Sequence, residues 1–118
     1  MVAGSWSRSV SKTISIDWDD TYTADPKLFQ RMVADMKAAG HCVGVVTRRY
    51  DTEQNRSEIT TAEDWDFVVF AGDSNKRSAA ESSGVSVDIW IDDNPATIDK
   101  PIIRTTSSLK SLRKARGL

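Results

Sequence analysis

Thr13-Ile14-Ser15-Ile16-Asp17-Trp18-Asp19-Asp20-Thr21 decides the reading of this chain. Four residues, three of them β-prone, run straight into three carboxylates, so a largely apolar strand ends in a polar loop. Asp25-Pro26 follows at once and opens a helix, with Asp as N-cap and Pro in the first turn. Leu28, Phe29, Met32, Val33 and Met36 then recur at helical spacing, and Gly40 stops the helix.

Outward from this first unit the pattern repeats. Cys42-Val43-Gly44-Val45-Val46 reads as a buried strand ending at Thr47-Arg48-Arg49. The polar stretch 50–66 predicts one weak helix and a loop, anchored by Ile59 and Trp65. Phe67-Val68-Val69-Phe70 predicts a third strand, ending at Ala71-Gly72-Asp73. Ser74 or Asn75 caps a short helix running to Gly84. Val87-Asp88-Ile89-Trp90-Ile91 predicts a fourth strand, ending at Asp92-Asp93-Asn94-Pro95. Ile102-Ile103 predicts a short fifth, and Ser107 or Ser108 caps a last helix carrying Leu109, Leu112 and Ala115. Strands alternating with helices, and apolar on both faces, imply an α/β fold. The expected architecture is a three-layer, doubly wound parallel sheet of about five strands.

Composition bounds the rest. At 118 residues, 39% hydrophobic and 28% charged, the chain is the size and polarity of one globular domain. The expected division is a mobile, Ser-rich tail over 1–12 and a single domain over 13–118. A net charge of −1 gives no global pull towards nucleic acid or membrane. No apolar run approaches the ~20 residues of a membrane span. One cysteine, Cys42, allows no intrachain disulfide and suits a reducing, cytoplasmic setting. One histidine, His41, sits at a strand entry, away from any nucleophile, and reads as structural or surface.

In an open α/β sheet, ligands bind beyond the carboxyl ends of the strands. Those ends carry Asp17, Asp19 and Asp20; Thr47, Arg48 and Arg49; Asp73, then Lys76; and Asp92 with Asp93. If the first and fourth strands are neighbours, up to five carboxylates crowd one place and raise one another's pKa. A hard divalent cation such as magnesium, which prefers oxygen ligands, relieves that repulsion. The bland alternative is that these Asp residues cap and turn the chain. Lys76 in the first turn of a helix opposes the helix dipole, yet that place suits an anion. Thr47 could donate its hydroxyl to a phosphate, or be an ordinary strand end. Arg48 and Arg49 could steer an anionic substrate or line a solvated edge. Trp18, between two candidate carboxylates, either contacts substrate or packs beneath the loop.

Together these residues resemble the four motifs of the haloacid dehalogenase (HAD) superfamily. Asp17-Trp18-Asp19-Asp20-Thr21 is similar to the DxDxT motif, Thr47 to the Ser/Thr ending a strand, Lys76 to the lysine at a helix start, and Asp92-Asp93 to the acidic pair. The matches come in family order and look like small phage and bacterial members. The resemblance implies a magnesium-dependent phosphohydrolase working through an aspartyl-phosphate. It implies Asp17 as nucleophile, Asp19 as acid and base, and Thr47 and Lys76 as binders of the phosphoryl oxygens. Magnesium would be held by Asp17, the Asp19 carbonyl, Asp92 and Asp93. Thr21 would support the loop beside the substrate.

Two departures matter. Only Tyr22, Thr23 and Ala24 separate Thr21 from the helix cap, and only five residues separate Phe70 from Lys76, so no cap domain fits. Position 20 is Asp where Gly is common. The substrate is expected to be a phosphorylated small molecule, a nucleotide or a nucleic-acid end. This rests on the basic run Lys110, Arg113, Lys114 and Arg116 and on analogy with the phosphatase half of polynucleotide kinase-phosphatases. A homo-oligomer that lends a lid is compatible with an open site. The alternative is a non-catalytic HAD-like or receiver-like module that binds phosphate or metal. A receiver, however, takes its phosphate at the end of the third strand, where only Asp73 is available.

Overall fold

The computed structural model describes residues 11–101. Residues 1–10 of the tail expected over 1–12, the strand expected at Ile102-Ile103 and the expected terminal helix with its basic run lie outside the described residues. Within them the chain is α/β, with four parallel strands and four helices, compatible with a Rossmann-like fold. The strands are β1 (Thr13–Ile16), β2 (Cys42–Thr47), β3 (Val68–Phe70) and β4 (Ile89–Ile91). The helices are α1 (Pro26–Ala38), α2 (Glu53–Thr60), α3 (Lys76–Ser82) and α4 (Ala96–Asp99), with a single 3-10 turn at Tyr22–Ala24.

The sequence signals for the helix ends act as expected. Asp25 accepts from the Leu28 amide, and Pro26 stands in the first turn of α1. Gly40, at φ 97°, turns the chain out of α1, with Gly40 N–H donating to Lys37 and His41 N–H to Met36. That pairing is a Schellman motif, which satisfies carbonyls the helix leaves open. Thr52 caps α2 and Asn75 caps α3. The apolar face of α1 narrows to Phe29, Val33 and Met36, while Leu28 is 38% exposed. α4 had no apolar periodicity to announce it. Before β1, Ser11 donates to the Gly40 carbonyl and Lys12 N–H to His41 Nδ1, which gives His41 a structural partner.

The sheet order is β3-β2-β1-β4. β4 is shorter than its apolar run because the Asp88 carboxylate, not a backbone carbonyl, accepts the Thr13 N–H. Two clusters of side chains pack around the strands. Ile16, Val43, Val45, Ile59 and Val33 form one with Trp18 and Tyr22. Val46, Val69 and Ala80 form the other with Phe67 and Trp90. Alternate residues of β2 thus serve different clusters, as the period of a strand requires. Gly44 lets β3 approach closely: a Cβ there would collide with the Phe67 carbonyl and come within 2.5 Å of its ring.

Ile16 pairs with Ile91, so Asp17 and Asp92 leave the sheet side by side, tied by a 2.9 Å bond from Asp17 N–H to the Ile91 carbonyl. The strand order reverses between β1 and β4, which makes their carboxyl ends the topological switch point.

Candidate functional site

At that switch point lies a cavity of about 170 Å³, lined by Asp17, Asp19, Asp20, Thr47, Arg48, Lys76, Asp92, Asp93, Asn94 and Thr97. The motif residues of four strand ends therefore meet in one place. Of the charged groups that line it among the described residues, five are carboxylates and two, Arg48 and Lys76, are cations.

Lys76 is the centre of the arrangement. Its side chain is only 3% exposed, and Nζ donates to Asp17 Oδ1 at 2.8 Å and Asp92 Oδ2 at 2.6 Å. Asn75, capping α3 through the Ser78 amide, sets where Lys76 enters. Thr21 fastens the other side. Its hydroxyl oxygen lies 3.2 Å from Asp17 Oδ2 and 3.1 Å from Asp93 Oδ1, and it accepts the Asp93 N–H at 3.2 Å. One hydroxyl proton serves both carboxylates in turn. Thr21 thus holds the loop, and the cavity wall excludes it.

Burial pushes the Asp17 carboxyl up to about 6, from an ordinary 3.8; Lys76 opposes this, and the neighbouring Asp93 adds to it. Asp93 is held below its ordinary value, first by its hydrogen bond with Asp17. The two act as a pair of crowded carboxyls in which Asp17 keeps the proton longer. One oxygen each from Asp17, Asp92 and Asp93 lies within 4.8 Å of the others, a cluster of oxygen donors that could hold a cation.

Asp20 takes φ 63°, a left-handed conformation that Gly adopts freely and Asp tolerates better than most side chains. Its N–H donates to Thr23 Oγ1 at 3.0 Å. Thr47 is buried, and its oxygen accepts the Arg49 N–H at 3.2 Å, leaving its own proton to donate.

Not every expected site residue reaches the cavity. Trp18 turns into the core, stacked on Tyr22 at 4.8 Å with 11° between the rings, and donates to Glu58. The indole is too large and apolar to leave in water when Tyr22 offers it a face. Arg49 is outside the lining and bound instead to Asp19, Asn55 and Glu58. Asp73 accepts from the Tyr50 hydroxyl at 2.5 Å and does not line the cavity. Asn94 and Thr97, unforeseen, close one wall; the only signal for them was their place after the acidic pair. Glu58 carried no signal, being one acidic residue in a polar stretch.

Among the described residues no helix is long and apolar enough to cross a membrane. No protein-family model, no curated protein and no solved structure matches the chain.

Proposed function

We propose that this chain is a magnesium-dependent phosphohydrolase of the HAD type, acting through an aspartyl-phosphate on Asp17. The observation that carries this reading is the buried Lys76 ammonium joining Asp17 to Asp92 at the β1–β4 switch point. A buried lysine between two carboxylates is a costly way to gain stability, and perturbed titratable groups in a cleft are a mark of function. The donor set fits magnesium: carboxylate oxygens from Asp17, Asp92 and Asp93, close together and hard. The charge balance argues the same way, because a phosphate dianion entering a cavity with five carboxylates and two cations is repelled. Bound there with the Asp19 carbonyl as a further ligand, magnesium would supply the positive charge that draws in the phosphoryl group and stabilises it during transfer.

The chain's own residues perform the chemistry. An Asp17 carboxylate oxygen attacks phosphorus, the P–O ester bond breaks, and the leaving oxygen takes a proton from Asp19. Water then attacks the same phosphorus, Asp19 takes a proton from it, and the Asp17–phosphorus bond breaks to release phosphate. Lys76 and the Thr47 hydroxyl offset charge on the phosphoryl oxygens, and Arg48 contributes the second cation of the wall. Thr21 holds Asp17 and Asp93 apart from solvent-driven reorientation.

The same reading includes a three-layer, doubly wound sheet, supported by two side-chain clusters that divide alternate residues of β2. It includes a nucleotide or nucleic-acid end as substrate, argued from the basic run at 110–116, and a cytoplasmic setting, argued from the single cysteine. The test is phosphate release from p-nitrophenyl phosphate, nucleoside monophosphates and 3′-phosphorylated oligonucleotides, with magnesium or with EDTA, for the wild type and Asp17→Asn. Turnover that needs magnesium and disappears in Asp17→Asn is expected. A folded wild type inert on every ester refutes the enzyme and favours a module that only binds phosphate or metal.

A further inference from the structure

Arg48 and Arg49 are adjacent in sequence and both invite the role of substrate clamp, but their hydrogen bonding differs. A guanidinium has five N–H groups. Arg49 commits four of them. Nε and Nη2 grip the two oxygens of Asp19 at 3.0 and 2.8 Å, while Nη1 donates to Asn55 at 3.1 Å and Glu58 at 2.7 Å. That leaves too little to hold a phosphate in the two-pronged manner that favours Arg at phosphate sites. Arg48 lines the cavity, gives Nη2 to the Lys100 carbonyl, and has a buried Nε with no partner among the described residues.

The far side of Arg49 is itself anchored. Glu58 receives the Trp18 indole N–H through its other oxygen, at 3.3 Å, and Trp18 is packed flat on Tyr22. Asn55 donates to the Tyr50 carbonyl at 2.9 Å. Both Asn55 and Glu58 belong to α2, whose Ile59 is wholly buried in the core. A chain of contacts therefore runs from the core through α2 and Arg49 to the carboxylate of Asp19. That carboxylate stands on an exposed loop and, among the described residues, Arg49 is its ion-pair partner. A side chain meant to deliver a proton to a leaving group must be held in place, since small misplacements are costly.

We propose that Arg49 is the positioning residue for Asp19: it occupies one lone pair on each carboxylate oxygen, which fixes the group at the cavity wall and leaves the other lone pairs to take and give the proton, and α2, through Glu58 and Asn55, holds Arg49. This rests on the phosphatase reading and adds a role to it. The polar stretch 50–66 then acts as a buttress for the acid.

The role makes a demand that mere structural support does not. A proton donor matters greatly for an alkyl ester, whose leaving alkoxide is strongly basic, and little for an activated aryl ester, whose leaving group departs unaided. The ratio of kcat/KM for the two esters isolates this, because kcat/KM reports only steps up to leaving-group departure. Hydrolysis of the aspartyl-phosphate, common to both, drops out. The experiment measures kcat/KM for thymidine 3′-monophosphate and p-nitrophenyl phosphate with magnesium, in wild type, Arg49→Lys and Glu58→Gln, with circular dichroism confirming the fold. The alkyl-to-aryl ratio is expected to fall about tenfold or more in Arg49→Lys, a part of the 10²–10⁴ that a positioned acid supplies. A smaller fall in the same direction is expected in Glu58→Gln, which keeps an acceptor but loses the charge. If Arg49→Lys fails to fold, Glu58→Gln decides. Equal losses on both esters overturn the proposal, since they mean support of the fold or a grip on the phosphoryl group common to both. A wild type that hydrolyses neither ester overturns the phosphatase reading and the proposal with it, whereas an active wild type with an unchanged ratio in the variants overturns the proposal alone.

Discussion

Replacing Lys76 by Met tests the centre of the site without assuming any activity. Met matches the length of the lysine stem, so the cavity is largely refilled and the charge alone is lost. Nζ sits 2.8 Å from Asp17 and 2.6 Å from Asp92, and the three side chains are 3%, 9% and 3% exposed. At an effective dielectric of about 20, each contact carries roughly 6 kcal/mol of gross attraction, most of it offset by the loss of hydration on burial. Removing one partner leaves the others buried and uncompensated, which costs about 3–5 kcal/mol. For a domain this small that is a drop of about 15 °C or more in Tm. The pH dependence has a definite sign. Lys76 holds the Asp17 pKa down against burial, so without it Asp17 rises beyond about 6 and takes up a proton as the pH falls. A neutral carboxyl needs no counter-charge, so the gap between wild type and variant narrows from pH 7.5 to pH 5. Magnesium, supplying charge to the same carboxylates, should restore part of the loss, about 2.7 kcal/mol at a hundredfold excess over its Kd. Urea denaturation followed by far-UV circular dichroism, in EDTA and in magnesium at both pH values, measures all three effects. A loss below about 1 kcal/mol at pH 7.5, or a gap that widens on acidification, refutes the reasoning.

Three further outcomes follow from the same geometry. In EDTA the Asp17 carboxyl, at about 6 in the fold against 3.8, contributes stability present below pH 3.8 and lost as the pH rises through 6, up to about 3 kcal/mol. Asp93 is shifted the opposite way, so the contribution is isolated by comparing denaturation of wild type with Asp17→Asn, in which this fall should vanish. Gly44→Ala forces β3 away from β2 at Phe67 and should cost about 1–3 kcal/mol by equilibrium unfolding; a loss under about 0.5 would mean the strands part easily. Arg48→Gln removes the cavity's cation that is not bound between carboxylates, and should raise KM about tenfold with kcat nearly kept; an unchanged KM would remove Arg48 from substrate binding.

How much of this was legible in the chain varies by residue. Strand β1, the Asp25-Pro26 helix start and the Gly40 stop depend on a few adjacent residues and their own backbone preferences, so they could be read locally. The strand ends bearing Asp17, Thr47, Lys76 and Asp92 could be read too, because an apolar run that meets carboxylates must leave the core there. What each side chain does there could not. Trp18 and Asp19 are neighbours, yet one turns to Tyr22 in the core and the other to Arg49 at the surface. Arg48 and Arg49 divide in the same way, because α2 offers Glu58 and Asn55 to only one of them. The sequence by itself determined the α/β order, the helix caps and the placing of the polar residues at the strand ends, all matters of local preference and hydrophobic period. Only the tertiary structure decided that β4 lies against β1, because pairing of strands 75 residues apart follows from burial over the whole sheet. That register brings Asp92 to Asp17 and makes room for one buried lysine between them.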